Sequence, residues 1–218
     1  MSAIETGPAR PSAGTPRPWA FPAVETRALD GGLTLLVAPV HTLPLVPVLV
    51  VTAGGASTDA SGQDGLASLA ARAITEGTAS HDGAALALAA EQLGTAIDAG
   101  ADWDGAYVSF TALAPKAEAA MALLADVVTT PAFPGREVER LKAERLSDIA
   151  QTEKEPRGLA DERFAATVYA PDSRFARPLG GTRASVASLD SSACRAHHAA
   201  RWRRAGSTVI VVGDITGD

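Results

Sequence analysis

Gly65-Leu66-Ala67-Ser68-Leu69-Ala70-Ala71-Arg72-Ala73-Ile74-Thr75-Glu76-Gly77-Thr78 is the stretch on which the reading of the fold turns. Leu66, Leu69, Ala70, Ala73 and Ile74 recur at helical spacing and mark one apolar face, so the segment reads as a helix packed on a core. Asp64 stands where an N-terminal cap is expected, and Gly77 follows the end. Ser68 and Arg72 lie one turn apart on the same side of that helix, with Ala71 beside them.

Upstream, residues 48–52 are rich in Val and Leu with no polar alternation, which predicts a central strand covered on both faces and ended by Gly54-Gly55. Before it, apolar runs at 27–29 and 33–37 flank Asp30-Gly31-Gly32, a hairpin signature because glycine tolerates the positive φ of tight turns. Residues 1–23 carry Pro8, Pro11, Pro16, Pro18 and Pro22 among small residues, and read as a flexible Pro/Ala-rich arm ahead of a domain over 24–218.

Downstream, Asp82 caps a helix over 84–93 that Gly94 stops. Strands are expected over 95–101 and 106–113; in the second, Tyr107, Ser109 and Thr111 alternate with Val108, Phe110 and Ala112, which predicts a sheet with one wet face. Helices follow over 116–128, 137–152 and 158–169, separated by Pro131, Pro134 and Pro156. After a loop over 171–181, a helix over 191–203 leads into a strand over 208–212. Helices and strands mix without strict alternation, so the class is α/β (α+β), with a mixed, largely antiparallel sheet and helices mainly on one face.

The chain has 218 residues, enough to bury a sizeable core, and its formal net charge is −6. Basic residues form no stripe beyond Arg201, Arg203 and Arg204, so nucleic acid is not an expected partner. The longest apolar run, 43–51, is broken by Pro44 and Pro47, and no membrane span is expected. One cysteine, Cys194, precludes an internal disulfide framework. Residues 1–17 lack the layout of a secretory signal, which favours the cytoplasm; a periplasmic protein whose leader has been removed would read the same.

Five segments in series carry a resemblance: Leu29-Asp30-Gly31-Gly32-Leu33, Gly65-Leu66-Ala67 through Glu76-Gly77-Thr78, Pro131-Ala132-Phe133-Pro134, Pro178-Leu179-Gly180-Gly181-Thr182, and Val211-Val212-Gly213-Asp214. From about Ala23 onward the chain resembles the N-terminal domain of the pitrilysin/insulinase (M16) metallopeptidases, a LuxS/MPP-like half. Active members carry H-x-x-E-H on the helix after Gly-Leu-Ala: two histidines four apart ligate zinc, and the glutamate acts on the attacking water. The corresponding residues here are Ser68, Ala71 and Arg72, a poor ligand, an inert methyl and a fixed cation. Active relatives take a further glutamate ligand from a later helix, where this chain offers Glu144, Ser147 and Asp148.

The resemblance therefore implies a non-catalytic subunit. No cofactor is expected in this chain, and zinc is expected in a heterodimer partner that bears H-x-x-E-H; self-association is the alternative. Peptides are the implied ligands. In the family they join the edge of the sheet, which maps here onto the possible edge strand Ala99, Gly100, Ala101, Asp102 and Trp103. The plainer reading is a structural edge guarded by Asp98, Asp102 and Asp104. Complete subunits have a second, related domain, which this sequence lacks.

Other candidates weigh less. Cys194 and His197 are three apart on an expected helix, but a metal site needs a third ligand. His41 and His81 sit among turn residues as solvated or capping groups. Gly54-Gly55-Ala56-Ser57 lacks the Gly-Lys ending of a phosphate loop, and Ser68 lacks a Gly-x-Ser-x-Gly elbow. A hydrolase of another mechanism and a free-standing interaction scaffold are the alternatives.

Overall fold

The hairpin forms where glycine permits it. Strands β1 (Glu25–Leu29) and β2 (Leu33–Pro39) pair antiparallel with Leu29 opposite Leu33, and Gly31 and Gly32 supply the turn at φ 77° and 80°. The computed structural model describes residues 13–16 and 18–216. Much of the expected arm, residues 1–12 and 17, lies outside the described residues; 13–16 and 18–23 carry no regular secondary structure.

The remaining strands are β3 (Leu45–Thr52), β4 (Asp98–Ala101), β5 (Ala106–Leu113) and β6 (Ser207–Gly213). They form one sheet in the order β1-β2-β6-β3-β5-β4, in which only β2 and β6 run parallel. Helices are α1 (Leu66–Ala73), α2 (Gly83–Gln92), α3 (Ala117–Thr129), α4 (Gly135–Thr152), α5 (Pro156–Val168), α6 (Arg183–Ser188) and α7 (Ser191–Arg201). The mixed, mostly antiparallel sheet agrees with the expectation. No helix among the described residues is long and apolar enough to cross a membrane.

Val46, Val48 and Val50 of β3, Val108, Phe110 and Ala112 of β5, and Val211 of β6 point to the helices and are buried. They meet Leu66, Leu69, Ala70, Ala73 and Ile74 of the first helical segment, with Leu124, Val127 and Leu141 of α3 and α4. The opposite face is not covered: Leu49 and Val51 are only half-buried. This corrects the expectation that 48–52 is covered on both faces. An all-apolar run does not report burial when one of its faces is apolar yet open.

The cap on α1 is a second correction. Gly65, at φ 92°, occupies the cap position with no side chain of its own. Asp59, from the preceding loop, accepts the Gly65 and Ala67 amides at 2.9 and 3.0 Å instead. The left-handed turn at Gly65 carries Asp64 away from the first-turn amides, toward Arg177 at 2.9 Å. Helix α6 was not expected, being short; Thr182 and Ser185 close its start as a reciprocal capping box. Phe133, in the Pro131-Ala132-Phe133-Pro134 segment, holds φ 45°. Its strain, about 1–3 kcal/mol, is offset by complete burial of the ring.

Helix α7 sends Cys194 and His197 into the interior. Burial pushes the Cys194 thiol up to about 12, and it holds His197 down from the ordinary 6.5 to about 4. The neutral imidazole is thus the folded form, whereas the unfolded chain takes up a proton near 6.5. Stability is complete above that value, falls as pH drops from 6.5 to 4, and loses nothing more to this group below 4. The expected loss is at most about 3 kcal/mol. His198, also lowered by burial, acts in the same direction. Urea denaturation across this range should show the step, and His197→Leu should remove most of it.

Candidate functional site

Helix α1 presents Ser68, Ala71 and Arg72 toward α4. Ala71 is buried. The Ser68 hydroxyl is buried without a hydrogen-bond partner, beside a void of about 30 Å³ that Arg72, Arg145 and Gly180 also line. That volume suits a single water. Arg72 turns outward, half-exposed, and its Nη2 donates to Glu144 Oε2 at 3.0 Å.

Of the three acidic or polar residues that α4 offered, it is Glu144 that faces α1. Arg140 extends the contact, donating to Glu144, to Glu137 at 2.7 Å and to Glu76 at 2.7 Å. Arg140, and then Arg72, hold the Glu144 carboxyl below its usual range. The end of the α1 segment and the middle of α4 are therefore joined by alternating charges.

A zinc ion does not fit this donor set. The hydroxyl of Ser68, the methyl of Ala71 and the guanidinium of Arg72 supply no imidazole or carboxylate, and Arg72 places a positive charge on the one carboxylate that faces it. Nor do three or more His, Cys, Asp or Glu side chains converge elsewhere among the described residues. Cys194 and His197 do lie near each other on α7, but both are enclosed by core residues.

Behind the start of α1 lies a buried ionic cluster that carries no sequence motif. Arg174 is almost fully buried; it sits 3.6 Å from Asp59 and 3.2 Å from Asp64, while Arg177 also reaches Asp64. The Arg174 guanidinium lies 5.1 Å from the centre of the Trp103 ring, and Trp103 packs on Phe175 at 4.9 Å. Burial raises the Asp59 carboxyl, against the pull of the Ala67 and Gly65 amides and of Arg174. Loop 170–181 is thereby fastened to the cap of α1. Residues so far apart in the chain give no signal of this by spacing alone.

Strand β4 is the sheet's end strand, paired only with β5 among the described residues, and it lies beside α1. Ala99, Gly100 and Ala101 belong to it. At Gly100 the Tyr107 ring lies close over the strand: a Cβ would stand 2.8 Å from its hydroxyl oxygen, so a larger residue there would have to displace that ring. Asp102 and Trp103 do not belong to the strand, which corrects the expected run of five. The Asp102 carboxylate accepts the Asp104 and Gly105 amides at 2.8 and 2.7 Å, turning the chain back into β5.

A family model described as Insulinase (Peptidase family M16) matches residues 40–183. No curated protein sequence matches the chain. Among solved structures, the inactive domain of a peptidase M16 from Pseudomonas fluorescens is 28% identical, with a TM-score of 0.85 over 89% of this chain and 47% of that one. A protease from Helicobacter pylori shares the fold at 17% identity and a TM-score of 0.82, over 91% and 48% of the two chains. The periplasmic protease PqqL from Escherichia coli does so at 19% and 0.77, over 89% and 22%. The chain thus spans about half the length of the first two relatives and less of the third.

Proposed function

This chain belongs to the insulinase-type M16 peptidase family, and from that premise we propose that it is a non-catalytic member that pairs with an H-x-x-E-H-bearing subunit and helps it hold peptides. The observation that carries the reading is the ion pair between Arg72 and Glu144, which engages the charge of α4 where the family's chemistry calls for a metal. Zinc, on this reading, resides in the partner.

The free edge of β4 supports a peptide-holding role. An extended peptide can add there as a further strand, satisfied by backbone hydrogen bonds that tolerate many side chains. Ala99, Gly100 and Ala101 offer small side chains along that edge, so a second backbone can approach closely. Asp98 and the turn residues Asp102 and Asp104 place carboxylates at its two ends.

Co-expression with a zinc-bearing M16 subunit tests the proposal. Peptide cleavage is expected only when both chains are present and co-purify, and it should vanish on chelation. Cleavage by this chain alone, unaffected by chelators, would instead establish a hydrolase of another mechanism; two chains that never associate would leave the scaffold reading.

A further inference from the structure

At the opposite end of the sheet from β4, the helix layer stops short of the β1–β2 hairpin and leaves a groove of about 680 Å³. Leu33 and Val209 form its floor and Met121 and Val128 of α3 one wall, all only half-buried although they face the helix side of the sheet. Trp202 closes the far wall, its ring stacked on His198 at 6.1 Å. His198 is held by the Val128 carbonyl at 2.8 Å, so its ring is fixed rather than free to swing across the opening.

The rim is charged. Arg203 and Arg204 border the groove, and neither guanidinium has a hydrogen bond or ion pair among the described residues. The Arg204 stem lies across Gly31 of the hairpin turn, where a Cβ would stand 3.0 Å from its Cδ. One carboxylate, Asp30, shares the rim, leaving an excess of one positive charge. The groove has the size of a small-molecule site, with an apolar body and a few polar groups on one side.

We propose that this groove binds an amphipathic carboxylate, its apolar part lying between α3 and the hairpin and its carboxylate meeting Arg203 and Arg204. Arginine favours this head group because its planar fork matches a carboxylate in two parallel hydrogen bonds. The site goes beyond the peptide-holding reading and shares none of the residues of α1 or β4.

The chain has two methionines, Met1 and Met121, so labelling methionine methyls with carbon-13 makes Met121 a direct reporter of the groove. Titration of the full chain with decanoate is expected to shift Met121 to saturation. Decyltrimethylammonium, with the same chain and the opposite charge, should bind about tenfold more weakly. The paired change Arg203→Gln and Arg204→Gln should remove that preference. Ala125→Trp, an exposed position on the groove, should abolish the shift while circular dichroism stays native. An unmoved Met121, or equal binding of both amphiphiles by the natural chain, would overturn the proposal.

Discussion

Ser68→His and Arg72→His, made together, are expected to give this chain about one equivalent of zinc after gel filtration, where the natural sequence is expected to retain none. The two imidazoles would stand four residues apart on one face of α1, and Glu144 already faces that position from α4, now 3.0 Å from Arg72. Two histidines, one carboxylate and a water make an open tetrahedral set. The void beside Ser68, about 30 Å³, takes only part of an imidazole. A stability cost of about 1–3 kcal/mol should therefore accompany the metal. Because the ligands must be deprotonated, zinc should be released on acidification through the histidine range. Adding Glu144→Gln should weaken retention by about tenfold or more. If the double variant holds no zinc, positions 68 and 72 do not correspond to the family's histidines.

Arg174→Met is expected to destabilise the fold by about 3–5 kcal/mol, measured by urea denaturation at neutral pH. The side chain is 7% exposed and lies between Asp59 and Asp64, whose side chains are 0% and 6% exposed. Arg177 still reaches Asp64 at 2.9 Å, but Asp59 loses its cation and is left buried beside an apolar side chain. Trp103 loses the guanidinium on its ring as well. The deficit has a sign in pH: burial already raises the Asp59 carboxyl, and removing the cation raises it further. The penalty applies to the ionised form and lessens as pH falls through the folded-state value, so the variant should recover part of its deficit on acidification. A loss below 1 kcal/mol would show that the cluster is not what fastens loop 170–181 to α1.

Much of the architecture was legible because it rests on short-range chemistry. The turn at Gly31-Gly32, the Asp82 cap, which accepts the Ala85 amide at 2.8 Å, and the alternation along β5 each depend on neighbours a few residues away. The errors share a different origin. Asp59 displaced Asp64 as the cap because a loop folded back over eight residues. Asp102 and Trp103, read with the edge strand as peptide-binding, lie beyond its end at Ala101, where the Asp102 carboxylate captured two amides and Trp103 found Phe175, from beyond α5. Local pattern reports what a backbone can do, and distant partners select among those options.

By itself, the sequence determined the class of the fold, the absence of histidine and carboxylate at positions 68, 71 and 72, and the fixed charge that Arg72 brings. Those are facts of residue type and helical spacing, and no tertiary contact can change them. Only the tertiary structure decided that Glu144 meets Arg72 across two helices, that Arg174 lies between Asp59 and Asp64, and that a groove opens under the hairpin. Each joins residues dozens of positions apart, and such contacts follow from how the helices settle on the sheet, a packing outcome that no periodicity along the chain encodes.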